Sequence, residues 1–355
     1  MSILAVMKYL LLITIMGGTI AACGQTTYDP AATNDAPLAP SATSLDCRRL
    51  HHEMGETEIC GQPQRIVVLG PYTLEFLLSL DVQPVGFGDH MTWHQGDYDN
   101  PRQQIPYLGS RITQPLINVG SAYTPSIEAI LKAQPDLILG TDGNANQYAA
   151  LSAIAPTVLV KWADSAMSLR TIGLAIDRLE QAEQLLTETQ QAIAAAYESF
   201  ASLVATHPKV LLLSASKFQE MYLGNEAHGL CHALIEALGF QLVSLPEFDN
   251  AEPNSLIPLS LETLPQLNDA DIVILLGSNF SDLNQLDTVE HFEAHQLSTL
   301  KQDWEKNAIA QSLNASQTRQ VYFIPAYLCL GLPGPIGTEL YLNELQTQLL
   351  SVPHD

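Results

Sequence analysis

Ten histidines, five cysteines and 38 acidic residues give this 355-residue chain many groups able to do chemistry, so their spacing is the first discriminator. His90 and His94, and again His228 and His232, stand four apart. On a helix that spacing sets two imidazoles on one face, as a metal ion or haem would require. The first pair falls in a loop-like segment with Gly88, Asp89 and Gly96, the adjacent His51 and His52 cannot share a helix face, and no histidine-rich stretch occurs. No resident metal is expected. Asp89 beside His90 and Glu226 near His228 would be acid–base pairs only under an assumed geometry. The chain also lacks a Gly-x-Gly-x-x-Gly, a Walker sequence, a Gly-x-Ser-x-Gly elbow and a His-Glu-x-x-His. The sequence points away from an enzyme and toward binding without a cofactor.

The cysteines divide by position. Residues 1–22 carry one basic residue, Lys8, an apolar run over 9–16 and small residues leading to Ile20-Ala21-Ala22-Cys23. The run is shorter than the ~20 residues of a spanning helix and ends like a cleavage site. It reads as a signal peptide, starting at Met1 or Met7, with Cys23 placed as in the bacterial lipoprotein processing box, where the cysteine is lipidated. Residues 23–46, rich in Ala, Thr, Pro and Ser, read as a flexible tether. Of the other four cysteines, Cys47 and Cys60 flank a short polar segment and are expected to form a disulfide. Cys231 and Cys329 are left open between a second bridge and two buried thiols.

Acidic residues outnumber basic ones 38 to 15, a formal net charge of −23, which excludes a surface built to grip nucleic acid. Removing residues 1–22 takes away Lys8 and no acid, leaving a net −24. Charged residues are 15% and apolar ones 46%, so the chain folds around a sizeable core.

Apolar runs within 65–70, 136–140, 157–160, 209–214, 271–276 and 321–325 alternate with amphipathic stretches. That is the pattern of mainly parallel sheets covered on both faces. An internal echo joins Ser126-Ile-Glu-Ala-Ile-Leu before Asp136 to Ser260-Leu-Glu-Thr-Leu before Asp271. From 168 to about 206 there is no proline, and Ile172, Ile176, Leu179, Leu186, Ile193, Tyr197 and Phe200 keep helical spacing. The reading is an α/β chain of two Rossmann-like lobes, 47–165 and 207–355, joined by a single long α-helix over 166–206. A helical connector resists bending, so ligand capture should involve small lobe movements.

In these features, and in Arg65-Ile-Val-Val-Leu, Pro84-Val-Gly, Gln134-Pro-Asp-Leu-Ile-Leu, Pro258-Leu-Ser-Leu-Glu-Thr-Leu and Asp269-Ala-Asp-Ile-Val-Ile, the chain resembles the type III (helical-backbone) periplasmic substrate-binding proteins of ABC importers. The segment from Cys47 to Cys60 further resembles the iron-siderophore branch, which handles ferric hydroxamates and citrate. The resemblance implies a monomeric, extracytoplasmic lipoprotein, lipid-anchored through Cys23, that hands a ferric siderophore to a dimeric membrane permease. Haem, cobalamin or a metal ion as ligand, or ligand sensing without transport, are the alternatives within the fold.

It also implies permease docking by one glutamate per lobe, and Glu128 and Glu262 stand at the matching positions. The ligand belongs in the cleft where the carboxyl ends of the strands meet their loops. Residues after the strands give Tyr72, Thr73, Trp93, Tyr98, Asn144 and Trp162 from the first lobe, and Lys217, Phe218, Tyr222, Phe280 and Tyr327 from the second. Arg111 and Lys217 are the cations expected to meet ligand carboxylates. So few cations disfavour a polyanionic catecholate. Iron would stay within the siderophore's oxygen ligands.

Overall fold

A computed structural model describes residues 46–91, 94–246, 255–281, 283, 289–297 and 299–350. Cys23, the signal and tether segments up to residue 45, and Trp93 lie outside the described residues. Those described belong to one compact unit spanning residues 45–355. Among them no helix is long and apolar enough to cross a membrane.

The chain enters through an antiparallel hairpin, β1 (Cys47–His52) and β2 (Gly55–Cys60), turned at Gly55 with φ +115° and closed at its base by the Cys47–Cys60 disulfide. The first sheet follows with β3 (Ile66–Leu69), β4 (Gly86–Asp89), β5 (Ile117–Ser121), β6 (Thr124–Pro125), β7 (Leu137–Thr141) and β8 (Thr157–Val160). Its order is β6-β5-β4-β3-β7-β8, parallel except for the β5–β6 pair. Helices α1 (Pro71–Ser79), α2 (Pro101–Gln104), α3 (Ile127–Ala133) and α4 (Tyr148–Ser152) connect these strands. Strands β3 and β8 are buried along their whole length, which is why they read as apolar runs rather than alternating ones.

The connector differs from the expected continuous helix. It is two helices, α5 (Ser165–Ala175) and α6 (Leu179–Thr206), the second of 28 residues and about 42 Å long. The break is a packed corner. Asp177 takes φ +60°, the Arg178 N–H donates to Gly173 O at 2.6 Å, and a Cβ on Gly173 would lie 2.8 Å from the Ala182 Cβ. Arg48 of the hairpin donates to the terminal carbonyls of α5, Leu174 O at 2.7 Å and Ala175 O at 2.6 Å, ending that helix.

The second sheet comprises β9 (Lys209–Ala215), β10 (Met221–Leu223), β11 (Gln241–Leu242), β12 (Ile257–Leu259), β13 (Ile272–Gly277) and β14 (Val321–Pro325). Its order is β12-β10-β9-β13-β14, with β11 also paired to β9. Around it run α7 (Leu230–Ala237), α8 (Val289–Leu297), α9 (Leu300–Lys306), α10 (Ala308–Gln311), α11 (Asn314–Gln317) and α12 (Pro335–Leu350). Residues Leu261–Leu267 form a 3-10 helix rather than an α-helix; it contains Pro265, which has no N–H to donate.

Cys231 and Cys329, left open by the sequence, form a second disulfide that ties α7 to the turn after β14. Beside it His228 is buried, its Nε2 2.8 Å from Ser214 Oγ and its Nδ1 3.1 Å from Asn225 Oδ1. Serine, histidine and asparagine in line suggest a nucleophile and base, but Ser214 and His228 are 6% and 1% exposed, so no substrate reaches the hydroxyl. The trio is structural. Burial holds the His228 pKa below its ordinary 6.5, so the folded state binds fewer protons than the unfolded chain in mildly acid solution. The contribution of His228 is full above pH 6.5 and is lost as pH falls through the lowered value. Urea midpoints compared at pH 7.5 and 5 should show a smaller drop for His228→Gln than for the wild type; an equal drop would assign the acid sensitivity elsewhere.

Candidate functional site

Sheet order locates the cleft. Strand β3 lies between β4 and β7, so the connections leaving β3 and β7 diverge and open a crevice at their carboxyl ends. Gly70, Pro71 and Tyr72 follow β3, and Thr141 and Asn144 end and follow β7; all line a cleft of about 230 Å³. Gly70 adopts φ +98° and donates its N–H to Gly88 O at 2.7 Å, fixing the turn into α1. Asn144 is buried and spent on the wall itself, its Oδ1 accepting from the Thr141 N–H at 3.1 Å and its Nδ2 donating to Ala122 O at 2.6 Å. The opposite wall is Leu330 and Gly331, in the turn that follows β14.

Two aromatic side chains stand out from this frame. Trp162 is 40% and Tyr123 54% exposed, and both line the cleft. Tyr72 contributes its ring but not its hydroxyl, which donates to Lys161 O at 2.8 Å and lies 3.1 Å from Ser168 Oγ. The floor is His90, stacked on Tyr327 with centroids 5.6 Å apart and with its Nδ1 3.1 Å from the buried Asp89 carboxylate. Tyr327 in turn contacts Tyr107, Phe292 and Phe280 at 5.5, 5.2 and 6.2 Å. This aromatic cluster joins the two sheets' halves in one continuous core.

Several expected wall residues are elsewhere. Thr73 is fully buried and donates to Leu69 O and Gly70 O, a helix-entry role. Tyr98 is buried between Phe87 and His94. Phe218 is core, edge-on to Trp304 at 6.2 Å. Tyr222 lies half-buried within β10, opposite Pro258 of β12. Phe280 and Tyr327 belong to the seam beneath the cleft rather than to its open surface. Arg111 is committed to Glu339 at 3.2 Å, and Lys217 is exposed in the turn after β9. Lys161, next to Trp162, turns its ammonium toward Glu53 at 4.0 Å. Among the described residues no lysine or arginine lines the cleft.

The histidine pairs do not converge on a common point. His94 Nε2 lies 3.1 Å from Asp97 O while His90 stacks on Tyr327, and His232 pairs with Glu236 while His228 faces Ser214. The one grouping of possible metal ligands among the described residues, Cys47, Glu58 and Cys60, has both sulfurs in a disulfide.

Glu128 and Glu262 occupy matched places. Glu128 is exposed in the first turn of α3, whose N-cap Ser126 accepts from the Ala129 N–H at 3.2 Å. Glu262 is exposed in the first turn after β12. Each follows the strand that edges its sheet, β6 in one and β12 in the other.

Known proteins of the same build fit this layout. The chain is 26% identical over 318 residues to the Fe(3+)-citrate-binding protein YfmC of Bacillus subtilis, covering 88% of each chain. Over a shorter stretch of 139 residues, 43% of the relative, it is 32% identical to the Fe(3+) dicitrate-binding periplasmic protein FecB of Escherichia coli. The structure of Staphylococcus aureus SirA complexed with staphyloferrin B superposes with a TM-score of 0.67 at 25% identity, covering 85% of this chain and 98% of that one. A family model for periplasmic binding proteins matches residues 66–328, and the chain belongs to that family of binding proteins.

Proposed function

We propose that the chain is the extracytoplasmic binding lipoprotein of an ABC importer, anchored through a lipidated Cys23, that captures a ferric siderophore in the cleft and delivers it to a permease. One observation carries the reading: a crevice at the divergent ends of β3 and β7 whose protruding groups are the aromatic Trp162 and Tyr123. Flat apolar faces with a polar edge suit a bulky organic chelate. The relatives named for ferric citrate and the siderophore-bound structural neighbour support iron as the cargo. With Lys161 turned to Glu53 and Arg111 to Glu339, the cleft favours a chelate of low net charge, such as a ferric hydroxamate, over a polyanionic catecholate. The iron is cargo, held by the siderophore's own oxygens.

Tryptophan fluorescence titration with ferric hydroxamate, ferric citrate, ferric catecholate, haem and cobalamin tests this. Ferric hydroxamate should quench strongly, with the quench reporting on Trp162; a response to haem or cobalamin alone would sink the siderophore reading. Trp162→Ala should weaken binding by about tenfold, the equivalent of ~1.4 kcal/mol, through lost aromatic contact. An unchanged Kd would remove Trp162 from the site.

A further inference from the structure

The floor of the cleft holds a polar pair that its aromatic walls do not account for. Asp89 ends β4 and is 3% exposed, and His90 follows it. The ladder is irregular there: Phe87 faces Asn118 of β5 but Asp89 faces Ser121, so two steps on one strand match three on the other. A bulge of this kind re-aims side chains beside a site. Ala122, whose N–H donates to Asp89 O at 2.7 Å, and Tyr123 follow the bulge, and both line the cleft with His90.

The pair is incompletely bonded. Asp89 Oδ1 accepts from the Met91 N–H at 3.2 Å and lies 3.1 Å from His90 Nδ1, but the second approach lacks the alignment of a hydrogen bond. Asp89 Oδ2 and His90 Nδ1 are both buried, and neither has a hydrogen-bond partner among the described residues. No lysine or arginine among them pairs with the carboxylate. Buried polar groups left in this state cost stability, and folded chains keep them chiefly where function completes the set.

Elementary chemistry sets the orientation of the ring. An ionised carboxylate only accepts, so the nitrogen beside it carries the proton. A proton on Nδ1 leaves Nε2 of the neutral ring a bare acceptor. Nδ1 is the buried nitrogen while 23% of the His90 side chain is open, and Nε2 is bonded to nothing among the described residues. The stack on Tyr327, with centroids 5.6 Å apart, holds the ring in its plane.

We infer that Asp89 and His90 are the recognition pair of the cleft: the carboxylate orients the imidazole, and Nε2 accepts from an N–H or O–H group of the chelate. This rests on the siderophore reading above and narrows its ligand. A bare acceptor nitrogen beside a carboxylate with no cation partner favours a chelate that is neutral or cationic and bears a hydrogen-bond donor at its edge. It opposes one that offers only anionic oxygens. Asp89 is a positioning residue, and His90 is the one that touches the ligand.

Two measurements test the pair. Long-range nitrogen–proton NMR at pH 8 on the protein without ligand should find the His90 proton on Nδ1; a proton on Nε2 overturns the inference whatever the cargo is. Tryptophan fluorescence should then give a lower Kd for ferric desferrioxamine B, a cationic hydroxamate complex with amide and ammonium donors, than for anionic ferric citrate. His90→Ala should shrink that ratio of Kd values about tenfold, and His90→Gln, whose amide oxygen still accepts, should shrink it less. Asp89→Asn, which keeps the shape and removes the charge, should shrink it as well. A wild-type preference for ferric citrate, or a ratio unchanged in both His90→Ala and Asp89→Asn, overturns the inference and leaves siderophore capture standing. Quenching by neither complex sinks both readings together.

Discussion

Replacing Glu128 and Glu262 together by lysine will reduce ligand uptake by cells at least a hundredfold while leaving the Kd for the ligand within twofold of wild type. Both carboxylates are exposed, both lie in a helix's first turn, and each follows the edge strand of its own sheet. On the same helix as Glu128, Ile127 and Leu131 are exposed by 39 and 55%. A charged centre flanked by apolar contacts is the composition of a binding patch. If each glutamate docks on permease arginines, as the family resemblance implies, lysine there would force like charges together at a cost of several kcal/mol, so reversal at two points would remove productive docking rather than trim it. Losing an acid from a helix's first turn costs only about 0.3–1 kcal/mol, too little to unfold the protein. Retained binding with lost uptake therefore isolates the docking step. Normal uptake by the double variant would remove both glutamates from the permease interface.

Opening the Cys231–Cys329 link will lower stability by about 4–5 kcal/mol. The link closes a loop with a sequence separation of 98, and a cross-link restricts the unfolded chain more as the loop lengthens. Both cysteines are buried, at 0 and 1% exposure, in the core of the second sheet's half. Urea unfolding of the Cys231→Ala, Cys329→Ala double variant measures the loss, part of which is the cavity left by the sulfurs. Thiol titration of the denatured, unreduced wild type is an independent check. Free thiols at Cys231 and Cys329 would mean that the pair is reduced in the native protein.

Legibility in the sequence followed burial. Strands covered on both faces, such as residues 66–69, 137–141 and 272–277, are apolar runs and show directly. Strand β5, Ile117-Asn-Val-Gly-Ser121, is only half buried and mixes polar residues with apolar ones, so it does not. That omission hid Tyr123, because the rule of reading the residue just past a strand needs the strand. The same rule promoted Phe218, Tyr98 and Thr73, for it finds the correct end of a sheet but not the direction in which a side chain points. The corner between α5 and α6 was illegible for another reason. Ile172, Ile176 and Leu179 keep helical spacing across it, while the turn depends on Asp177 at φ +60° and on the contact of Gly173 with Ala182, a tertiary cause. Arg111 looks like a free cation in the sequence because Glu339, its partner, lies 228 residues away.

The hairpin at the chain's entry has a mechanical meaning. Its two strands start and finish at the same end, with Cys47 opposite Cys60. Tension on the chain ahead of Cys47 would otherwise peel the rungs apart one by one, the weakest way to load a pair of strands. The sulfur bridge at the first rung carries that force straight across to Cys60 and Gly61, where Arg48 donates to Gly61 O at 2.7 Å and also grips the end of α5. A pull on the chain ahead of Cys47, as the proposed lipid anchor would exert, is thus taken by the bridge before it reaches the strands that shape the cleft.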